Sequence, residues 1–274
     1  TSDRLRLYFK DFAAIPVTLP TLSEQRRIAE ILSVWDHAIE TTNKLIGNSQ
    51  AQKNALMRTL LSGNDRLRGY RGKWRTLTLG SIGQTYSGLS GKSKHDFGRG
   101  QSFVPYKNVF ENIAVDFEHL EKVQINPGES QSVIAHGDII FTTSSETPEE
   151  VGMSSVAINP PNNVHLNSFC FGFRPKKSGI LDPHFCKHFF RGPTVRRAIA
   201  NLAQGSTRYN LSKRRLLKLP FQIPPVEEQR AIAAILNVLA ADEIKLRESR
   251  CALQVEKLAL MQQLLSGQRR ITAE

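Results

Sequence analysis

Apolar residues recur at helical spacing in two stretches of the chain, one near each end. In the first stretch, Ser23 is a suitable N-cap, and no proline occurs between Thr21 and Arg71. Ser62-Gly63 supplies the end of this helix, because glycine tolerates the left-handed conformation that follows a helix C-terminus. The second stretch has a seven-residue repeat of Ile232, Leu239, Leu246, Leu253 and Leu260. Such a seam is stable only when it is covered. The pattern therefore predicts two long helices that pack antiparallel on each other, or alternatively on another chain.

The two stretches also share their sequence at a fixed offset of 204 residues. Pro20-Thr21-Leu22-Ser23-Glu24-Gln25-Arg26 returns as Pro224-Pro225-Val226-Glu227-Glu228-Gln229-Arg230, and Leu60-Leu61-Ser62-Gly63 returns as Leu264-Leu265-Ser266-Gly267. A solenoid would have contiguous repeats of about 20–50 residues, whereas about 150 unrelated residues separate these copies. Two similar helical units therefore bracket one globular insert.

The insert alternates short β-prone runs with turn signals such as Asn126-Pro127-Gly128. The runs lie at 74–79, 102–106, 138–143, 155–158 and 170–174, and a basic helix is predicted over 183–202. We therefore predict an α+β fold class, in which one strand-rich α+β domain is flanked by two long α-helices that pack as an antiparallel coiled coil.

The formal net charge of +12 and the pI of about 9.8 favour a polyanionic partner, with nucleic acid ahead of an anionic membrane surface. No apolar run approaches the roughly 20 residues of a membrane span, and the first residues do not form a signal peptide. Cys170, Cys186 and Cys251 lack zinc-site spacing, which favours buried thiols in a reducing cytoplasm. Two windows, 66–95 and 183–226, contain no acidic residue. They indicate a cationic surface, although a merely solvated surface is the alternative.

Three loops and their flanks carry the candidate DNA-binding residues. Gly88 to Lys94 is a basic, hydroxyl-rich loop that suits phosphate oxygens, with an ordinary surface loop as an equal alternative. The run 137–146 is a strand that leads into a hydroxyl-rich loop, and 205–211 is a polar loop inside the second basic window. Arginine can bond guanine bidentately, and asparagine can bond adenine. The predicted DNA-binding set is Lys92, Ser93, Lys94, Arg99, Lys107, Thr143, Ser144, Ser145, Arg208, Tyr209, Asn210 and Lys213.

The string that most resembles an enzyme motif is Asn159-Pro160-Pro161, which in amino-group methyltransferases holds the target amine when an aromatic residue follows. Here Asn162 takes the aromatic position, and no glycine-rich loop for S-adenosylmethionine is present, so we predict a turn between strands. His184 and His188 are four residues apart without the glutamate of a zinc-protease motif. We therefore predict no catalytic residue and no metal site.

The repeated proline-containing segment, the Glu-Gln-Arg triplet, the long helix and the final Leu-Leu-Ser-Gly resemble the conserved regions of type I restriction–modification specificity subunits. The insert has the size of a target recognition domain in that family, and its entry (Gly72 to Gly80) and the strand Gly137-Asp138-Ile139-Ile140-Phe141 resemble the family as well. The resemblance extends over essentially the whole chain.

The resemblance implies a non-catalytic subunit that binds double-stranded DNA. Its recognition domain would read one half of a bipartite site, and its helices would space the half-sites and dock modification subunits. Docking is expected at Glu24, Gln25, Arg26, Glu228, Gln229 and Arg230. S-adenosylmethionine is expected on the methyltransferase partner, whereas ATP and Mg would be bound by a restriction subunit if one is present. We expect a cytoplasmic protein of a bacterium or archaeon.

The resemblance also suggests domain boundaries: a tail of a preceding recognition domain at 1–22, the first helix at 23–63, the recognition domain at 64–222, the second helix at 223–268 and a C-terminal tail at 269–274. Ser2-Asp3-Arg4 aligns with Ser206-Thr207-Arg208 at the same offset. Family members usually carry two recognition domains, so we expect a natural half-subunit, a gene fragment or a proteolysed or engineered piece. A half-subunit would self-associate or pair with a second half-subunit.

Two other hypotheses remain open at the level of sequence. The chain could be a basic helical scaffold that binds RNA or acidic protein, in which case its affinity for duplex DNA would be uniform across sequences. It could also be an autonomous methyltransferase built on Asn159-Pro160-Pro161, in which case the isolated chain would bind S-adenosylmethionine.

Overall fold

Two long helices, α2 (Leu22–Leu60) and α8 (Val226–Leu265), form most of the α-helical structure in the computed structural model, which describes residues 8–17, 19–177 and 179–271. A short helix, α1 (Phe9–Ala13), precedes them. Gly63 (φ 77°) and Gly267 (φ 73°) adopt the left-handed conformation after α2 and α8, as the sequence predicts. The alignment of Ser2-Asp3-Arg4 with the second copy lies outside the described residues.

Contacts divide the chain into two compact units, of which the first comprises residues 1–49 and 242–274. Within this unit the two helices are antiparallel, because residue numbers rise along one as they fall along the other in each cross-helix pair. The three pairs, with their nitrogen–oxygen distances, are Arg270–Glu24 at 3.0 Å, Lys257–Asp36 at 2.5 Å and Arg250–Asn43 at 3.5 Å. Ile28, Ile46 and Leu264 are buried in the same unit. The predicted antiparallel packing is confirmed here.

The second unit comprises residues 50–241 and contains the remaining elements. Its helices are α3 (Leu79–Ile82), α4 (Tyr106–Glu111), α5 (Pro183–Phe189), α6 (Pro193–Ala200) and α7 (Lys213–Lys218), and 3₁₀ turns occur at Lys94–Asp96 and Pro148–Glu150. Its strands are β1 (Arg75–Thr78), β2 (Gly83–Ser87), β3 (Phe97–Val104), β4 (Glu121–Val123), β5 (Ile139–Thr142), β6 (Ser144–Ser145), β7 (Ser154–Val156), β8 (His165–Leu166), β9 (Cys170–Pro175), β10 (Ala203–Gln204), β11 (Tyr209–Leu211) and β12 (Pro220–Ile223). The α+β fold class is confirmed.

Small sheets organise this unit. The largest has the order β2-β9-β5-β7 and is antiparallel, and a second has the order β4-β3-β8 with β3 and β8 parallel. Strand β1 pairs with β12, so the start and the end of the insert lie side by side. A further sheet has the order β10-β11-β6. Closure of the insert by β1 and β12 places its two ends next to the helices that flank it in sequence.

Phenylalanine side chains fill the main core of the second unit. Phe141, Phe171 and Phe190 are fully buried, and the Phe141 ring meets Phe171 in a stacked arrangement and Phe190 edge-on, both at 5.5 Å between centroids. Leu60 at the end of α2 and Leu236 near the start of α8 belong to the same core. These helix ends are therefore part of the globular domain. The helical pattern in the sequence does not show which of its apolar residues join that core.

The predicted single helix over 183–202 is wrong in one respect, because the structure breaks it into α5 and α6. Phe190-Arg191-Gly192 separates the two, and Pro193 starts α6 at a position where a missing N–H costs nothing. A Cβ at Gly192 would lie 2.9 Å from the Leu61 Cδ1 atom, so the break also permits close packing. Strand β3 begins at Phe97, five residues before the predicted run 102–106.

Asp138 lies at the centre of a buried polar cluster at the start of β5. The Tyr86 hydroxyl donates to Asp138 Oδ2 at 2.7 Å, Arg174 Nε donates to Oδ1 at 2.8 Å, and the Ala135 N–H donates to Oδ2 at 2.8 Å. Burial, together with the adjacent carboxylate, raises the pKa of the Tyr86 phenol, so the hydroxyl remains a donor at neutral pH. The carboxylate itself is fully buried. This cluster ties β2, β5 and β9 together.

The buried imidazole of His188 on α5 should make the free energy of unfolding depend on pH. Its imidazole is buried and bonds Asn237 Oδ1 at 2.8 Å, and burial lowers its pKa to about 4, with Lys187, Lys53 and His184 adding repulsion. The unfolded chain therefore binds a proton below about pH 6.5 that the folded chain does not bind until about pH 4. We expect this group alone to cost roughly 2–3 kcal/mol of stability as the pH falls from 7 to 4. Urea unfolding of the parent chain and of His188→Gln at both pH values isolates this contribution, and equal losses in the two proteins would contradict it.

Candidate nucleic-acid interface

Two polar loops that are far apart in the sequence become neighbours through β6 and β11. Tyr209 pairs with Ser145 and Asn210 with Ser144 in an antiparallel ladder, and the Leu211 N–H donates to the Thr143 carbonyl at 2.8 Å. The hydroxyl-rich segment Thr143–Ser145 and the segment Arg208–Asn210 therefore share one surface. Arg208 and Asn210 are exposed on it. The sequence nominated both segments but contained no signal that they meet.

A cavity of about 350 Å³ opens beside this ladder. The Tyr106 and Phe110 rings stack with centroids 5.9 Å apart, and the Tyr106 hydroxyl donates to the Ser144 carbonyl at 2.8 Å. Partial burial raises the pKa of Tyr106, which keeps this hydroxyl protonated. The residues that line the cavity are Tyr106, Phe110, Ser144, Ser145, Glu146, Glu150, Phe169 and Arg208. Rings, hydroxyls and charges of both signs thus border one space.

Two arginines hold the walls of this cavity from within. The Arg191 guanidinium donates to the carbonyls of Ser154, Val109, Phe110 and Asn112 at 2.6–3.1 Å, and so fixes the end of α4. The Arg196 guanidinium donates to the carbonyls of Gly152, Glu149 and Val151 at 2.6–2.9 Å, and so fixes the turn that carries Glu150. Burial lowers the pKa of each arginine to about 10, so both stay charged at neutral pH. Two arginines of the acid-free window 183–226 therefore stabilise the fold through buried hydrogen bonds.

Lys213 connects the ladder to the end of β2. Its ammonium donates to the Ser87 hydroxyl at 3.0 Å and lies 5.3 Å from the centroid of the Phe171 ring. The loop Gly88 to Lys94 begins at this point. A Cβ at Gly88 would lie 2.0 Å from the Asn167 carbonyl oxygen, so only glycine permits this approach. Lys213 thus lies where two of the nominated segments converge.

Lys92 has a structural role and is a correction to the predicted DNA-binding set. Its side chain is only 5% exposed, and the ammonium donates to the Gln124 carbonyl at 2.6 Å and to the Glu129 carboxylate. The hydrogen bond from Lys92 is the main cause that lowers the pKa of Glu129 to about 2. An ammonium that is covered and paired in this way is poorly accessible to a phosphate, and it anchors the loop Gly88 to Lys94.

The other cationic candidates lie outside the ladder. Ser93 caps the turn Lys94–Asp96 by donating to the Asp96 carboxylate at 2.8 Å, and Lys94 is exposed beside it. Arg99 Nε donates to Gln124 Oε1 at 2.9 Å, and the Lys107 ammonium lies 3.7 Å from the Glu111 carboxylate.

Ser145 is buried, and its hydroxyl donates to the Thr147 carbonyl at 2.6 Å. Its side chain supports the ladder, and its predicted contact with DNA stays a prediction.

The repeated Glu-Gln-Arg triplet is also largely structural. Gln25 Nε2 donates to the Pro20 carbonyl at 2.9 Å, and the equivalent Gln229 Nε2 donates to the Pro224 carbonyl at the same distance. Gln229 is fully buried and also bonds the backbone of Ile180 and Asp182. Each glutamine thus closes the turn that starts its helix. This closure is a physical reason for the repetition of the motif, and docking through these side chains stays a prediction.

The glutamates of the triplet form equivalent ion pairs. Glu24 accepts from Arg270 at 3.0 Å, and Glu228 accepts from Arg66 and from the Trp74 indole. An offset of 204 relates Glu24 to Glu228 and Arg66 to Arg270, so each copy supplies the acid of one pair and the base of the other. Both glutamates are buried. Both glutamates therefore have a structural role, and their docking role stays a prediction, as does that of the exposed Arg26 and Arg230.

The enzyme-like string lies in an irregular segment between β7 and β8, as the predicted turn requires. Asn159 adopts a positive φ of 51°, and its N–H donates to His136 Nδ1 at 3.1 Å. Among the residues that the structure describes, no group of three His, Cys, Asp or Glu side chains is arranged to hold a metal ion. Within the same ranges no helix combines the length and apolarity needed to cross a membrane.

Sequence reasoning missed Tyr106, Phe110, Phe169, Glu146 and Glu150 as neighbours of the nominated loops. Glu146 directly follows the hydroxyl-rich segment, so its position was a usable signal. Glu146, Glu149 and Glu150 lie outside the two acid-free windows in sequence. The structure places two of them in the cavity with Arg208.

Comparison with protein families finds one model, described as the type I restriction modification DNA specificity domain, which matches residues 1–47 and 73–256. Curated relatives include the type I restriction enzyme MjaVIII specificity subunit of Methanocaldococcus jannaschii, which is 26% identical over 96% of this chain and 64% of its own length. The EcoKI specificity subunit of Escherichia coli K12 is 29% identical over 49% of this chain and 28% of its own length.

Solved structures with the same fold include the HsdS subunit from Thermoanaerobacter tengcongensis, with a TM-score of 0.52 and 22% identity over 97% of this chain and 64% of that chain. A structure described as the basis of complex assembly and conformational transition of the type I R-M system has a TM-score of 0.58 and 21% identity, and the match covers 91% of this chain and 60% of that chain. The chain therefore spans less than two thirds of the length of these relatives.

Proposed function

Because the chain belongs to the type I restriction modification DNA specificity family, we propose that residues 50–241 read one half of a bipartite site in double-stranded DNA. The observation that carries this proposal is the β6–β11 ladder, which joins two polar loops beside a cavity bordered by Arg208. The chain itself performs no chemistry in this proposal. It supplies sequence specificity to a methyltransferase complex.

The exposed cations support the proposal physically. Arg197, Arg208, Arg214, Arg215 and Lys218 are exposed, whereas Arg191 and Arg196 are bonded inside the fold. The exposed group can contact phosphates, and such contacts release counterions, so binding should weaken steeply as salt increases. Arg208 and Asn210, next to the cavity, have the side chains that can discriminate base edges.

The helical unit, residues 1–49 and 242–274, would dock modification subunits and space the half-sites. Apolar side chains on its helices support a partner, because Val34, Ile244, Val255 and Leu258 are more than half exposed. Arg26 would contribute a charged contact in this unit, and Arg230 would do so from the start of α8. A second half-subunit would be a further partner, and a restriction subunit could join the complex.

The chemistry of the complex would reside on those partners. S-adenosylmethionine would be bound by the modification subunit, which would methylate adenine N6, and a restriction subunit would use ATP and Mg. We place this activity in the cytoplasm of a bacterium or archaeon, where the DNA substrate lies.

The test is co-expression of the full chain with its modification subunit in an unmethylated host, followed by genome-wide mapping of N6-methyladenine. A bipartite motif with two identical inverted halves would support the proposal and mean that one domain is used twice. An asymmetric bipartite motif would also support it and mean that a different recognition domain reads the other half. The absence of any motif would contradict it and favour the scaffold hypothesis.

Arg208→Ala is expected to weaken DNA binding by the complex by about 1–3 kcal/mol. The DNA is an unmethylated duplex that carries the motif identified by the methylation map. The reason is that Arg208 is an exposed guanidinium at the cavity. Lys177→Ala is the control, because Lys177 is an exposed cation beyond the opposite end of β9. Fluorescence anisotropy titrations at several salt concentrations provide the measurement. Equal affinities of Arg208→Ala and the parent chain would show that this surface does not bind the motif.

A further inference from the structure

The cavity beside the β6–β11 ladder contains two carboxylates in a chain whose net charge is +12. Glu146 is exposed at the end of the ladder, and Glu150 is half-buried in the turn Pro148–Glu150. Both face the same space as Arg208 and the Tyr106 ring. A DNA-binding surface gains nothing from carboxylates near phosphates, because like charges repel. Their position therefore requires a different interaction with DNA.

The complementary group on duplex DNA is an exocyclic amine. In the major groove the hydrogen-bond donors of the bases are N4 of cytosine and N6 of adenine, and glutamate accepts well from the former. Guanine, the partner of cytosine, offers two acceptors that arginine bonds bidentately. A carboxylate of Glu146 or Glu150 therefore offers an acceptor for the amino group of one base. The Arg208 guanidinium offers donors for the other base of the same pair.

Glu150 is held in place before any ligand arrives. The Thr147 hydroxyl donates to its Oε2 atom at 2.8 Å, and among the described residues no donor reaches its Oε1 atom. Arg196 bonds the carbonyls of Glu149 and Val151 on both sides of it in sequence. The opposite wall is α4, whose end is held by Arg191. An acceptor that is fixed in this way discriminates well, because little reorganisation is needed on binding.

On the basis of the proposed function, we propose that Glu146 and Glu150 determine specificity at one base pair of the half-site by accepting a hydrogen bond from an exocyclic amino group. Arg208 lies on the other side of that pair. Phe169, Tyr106 and Phe110 supply aromatic surface to the same cavity.

The test uses the complex of the full chain with its modification subunit and a random-sequence duplex DNA library, with the bound fraction sequenced. The double variant Glu146→Ala with Glu150→Ala is expected to lose an about 5- to 150-fold preference at one position while the other positions keep theirs. Loss at a C·G pair would identify cytosine N4 as the donor, and loss at an A·T pair would identify adenine N6. Total affinity should stay equal or increase, because two negative charges are removed.

Glu149→Ala is the matched control, since Glu149 lies in the same turn, is exposed and does not line the cavity. It should leave every position unchanged. If the double alanine variant proves unfolded by circular dichroism, Glu146→Met with Glu150→Met removes both acceptors while filling similar space, and the same loss of preference is expected.

The outcomes separate this inference from the function on which it rests. If the parent complex enriches a motif and both double variants enrich the same motif with equal preference at every position, the carboxylates do not read a base. A uniform loss of affinity at all positions would also overturn the inference, because it would indicate a structural role. If the parent complex itself enriches no motif, the proposed function fails first and the inference fails with it.

Discussion

Replacement of Asp138 by alanine is expected to lower the free energy of unfolding by about 2–4 kcal/mol. The variant removes a fully buried acceptor that the Tyr86 hydroxyl, the Ala135 N–H and the Arg174 guanidinium share. The loss is costly for the hydroxyl and the backbone N–H, because buried donors are left without an acceptor. The Arg174 side chain is 41% exposed, so water compensates part of its loss. Urea unfolding at neutral pH measures the effect.

Glu118→Ala is the control for Asp138, because Glu118 is an exposed acid in the same domain. It should shift stability by less than about 0.5 kcal/mol. The variant Asp138→Asn keeps the shape of the side chain and should fall between the two. A stability of Asp138→Ala equal to that of the control would mean that the cluster is replaced by water at no cost, which is incompatible with its burial.

Arg191→Met is the second large effect that we expect, about 3–5 kcal/mol in the free energy of unfolding, because several buried carbonyls lose their donor at about 1–3 kcal/mol each. Methionine keeps an unbranched apolar stem but is shorter, and it donates to none of the carbonyls that Arg191 serves, which are those of Val109, Phe110, Asn112 and Ser154. Arg191→Lys restores the charge without the planar fork and should recover only part of the loss.

A second measurement tests the positioning role of Arg191. Because Arg191 holds the end of α4, the variant should also reduce sequence preference in the duplex library at temperatures where it remains folded. Arg197→Met is the control, since Arg197 is exposed on the neighbouring helix α6. If Arg191→Met were as stable as Arg197→Met, other contacts would hold α4. A destabilised variant with unchanged preference would confine Arg191 to the fold.

The long helices were predictable because their signals are local and repeated. Ser62-Gly63 and the heptad from Ile232 onwards each depend on a few neighbouring residues, and the structure confirms the helices that they predict. The site was not predictable to the same degree. Strands β6 and β11 have two and three residues, and their pairing depends on a contact between distant segments that leaves no periodic pattern.

Charge was the least reliable guide to the site. Arg191 and Arg208 belong to the same acid-free window, yet one is bonded inside the fold and the other is exposed at the cavity. Composition cannot separate them, because burial is decided by packing. The same holds for the repeated motif: Phe12 is 58% exposed, whereas its equivalent Leu216 is 1% exposed. An apolar residue type indicates that a position can be buried, but the packing around it determines whether it is buried.

The two equivalent ion pairs have a consequence for the order of the copies along the chain. Glu24 with Arg270 and Glu228 with Arg66 involve the same residue types in reciprocal roles, so exchange of the two copies would leave both pairs chemically unchanged. Chain order is therefore encoded in the covalent connections and not in these pairs. A circular permutation that exchanges the order of the two copies would preserve both pairs, and a like copy on a separate polypeptide would offer the same acid and the same base.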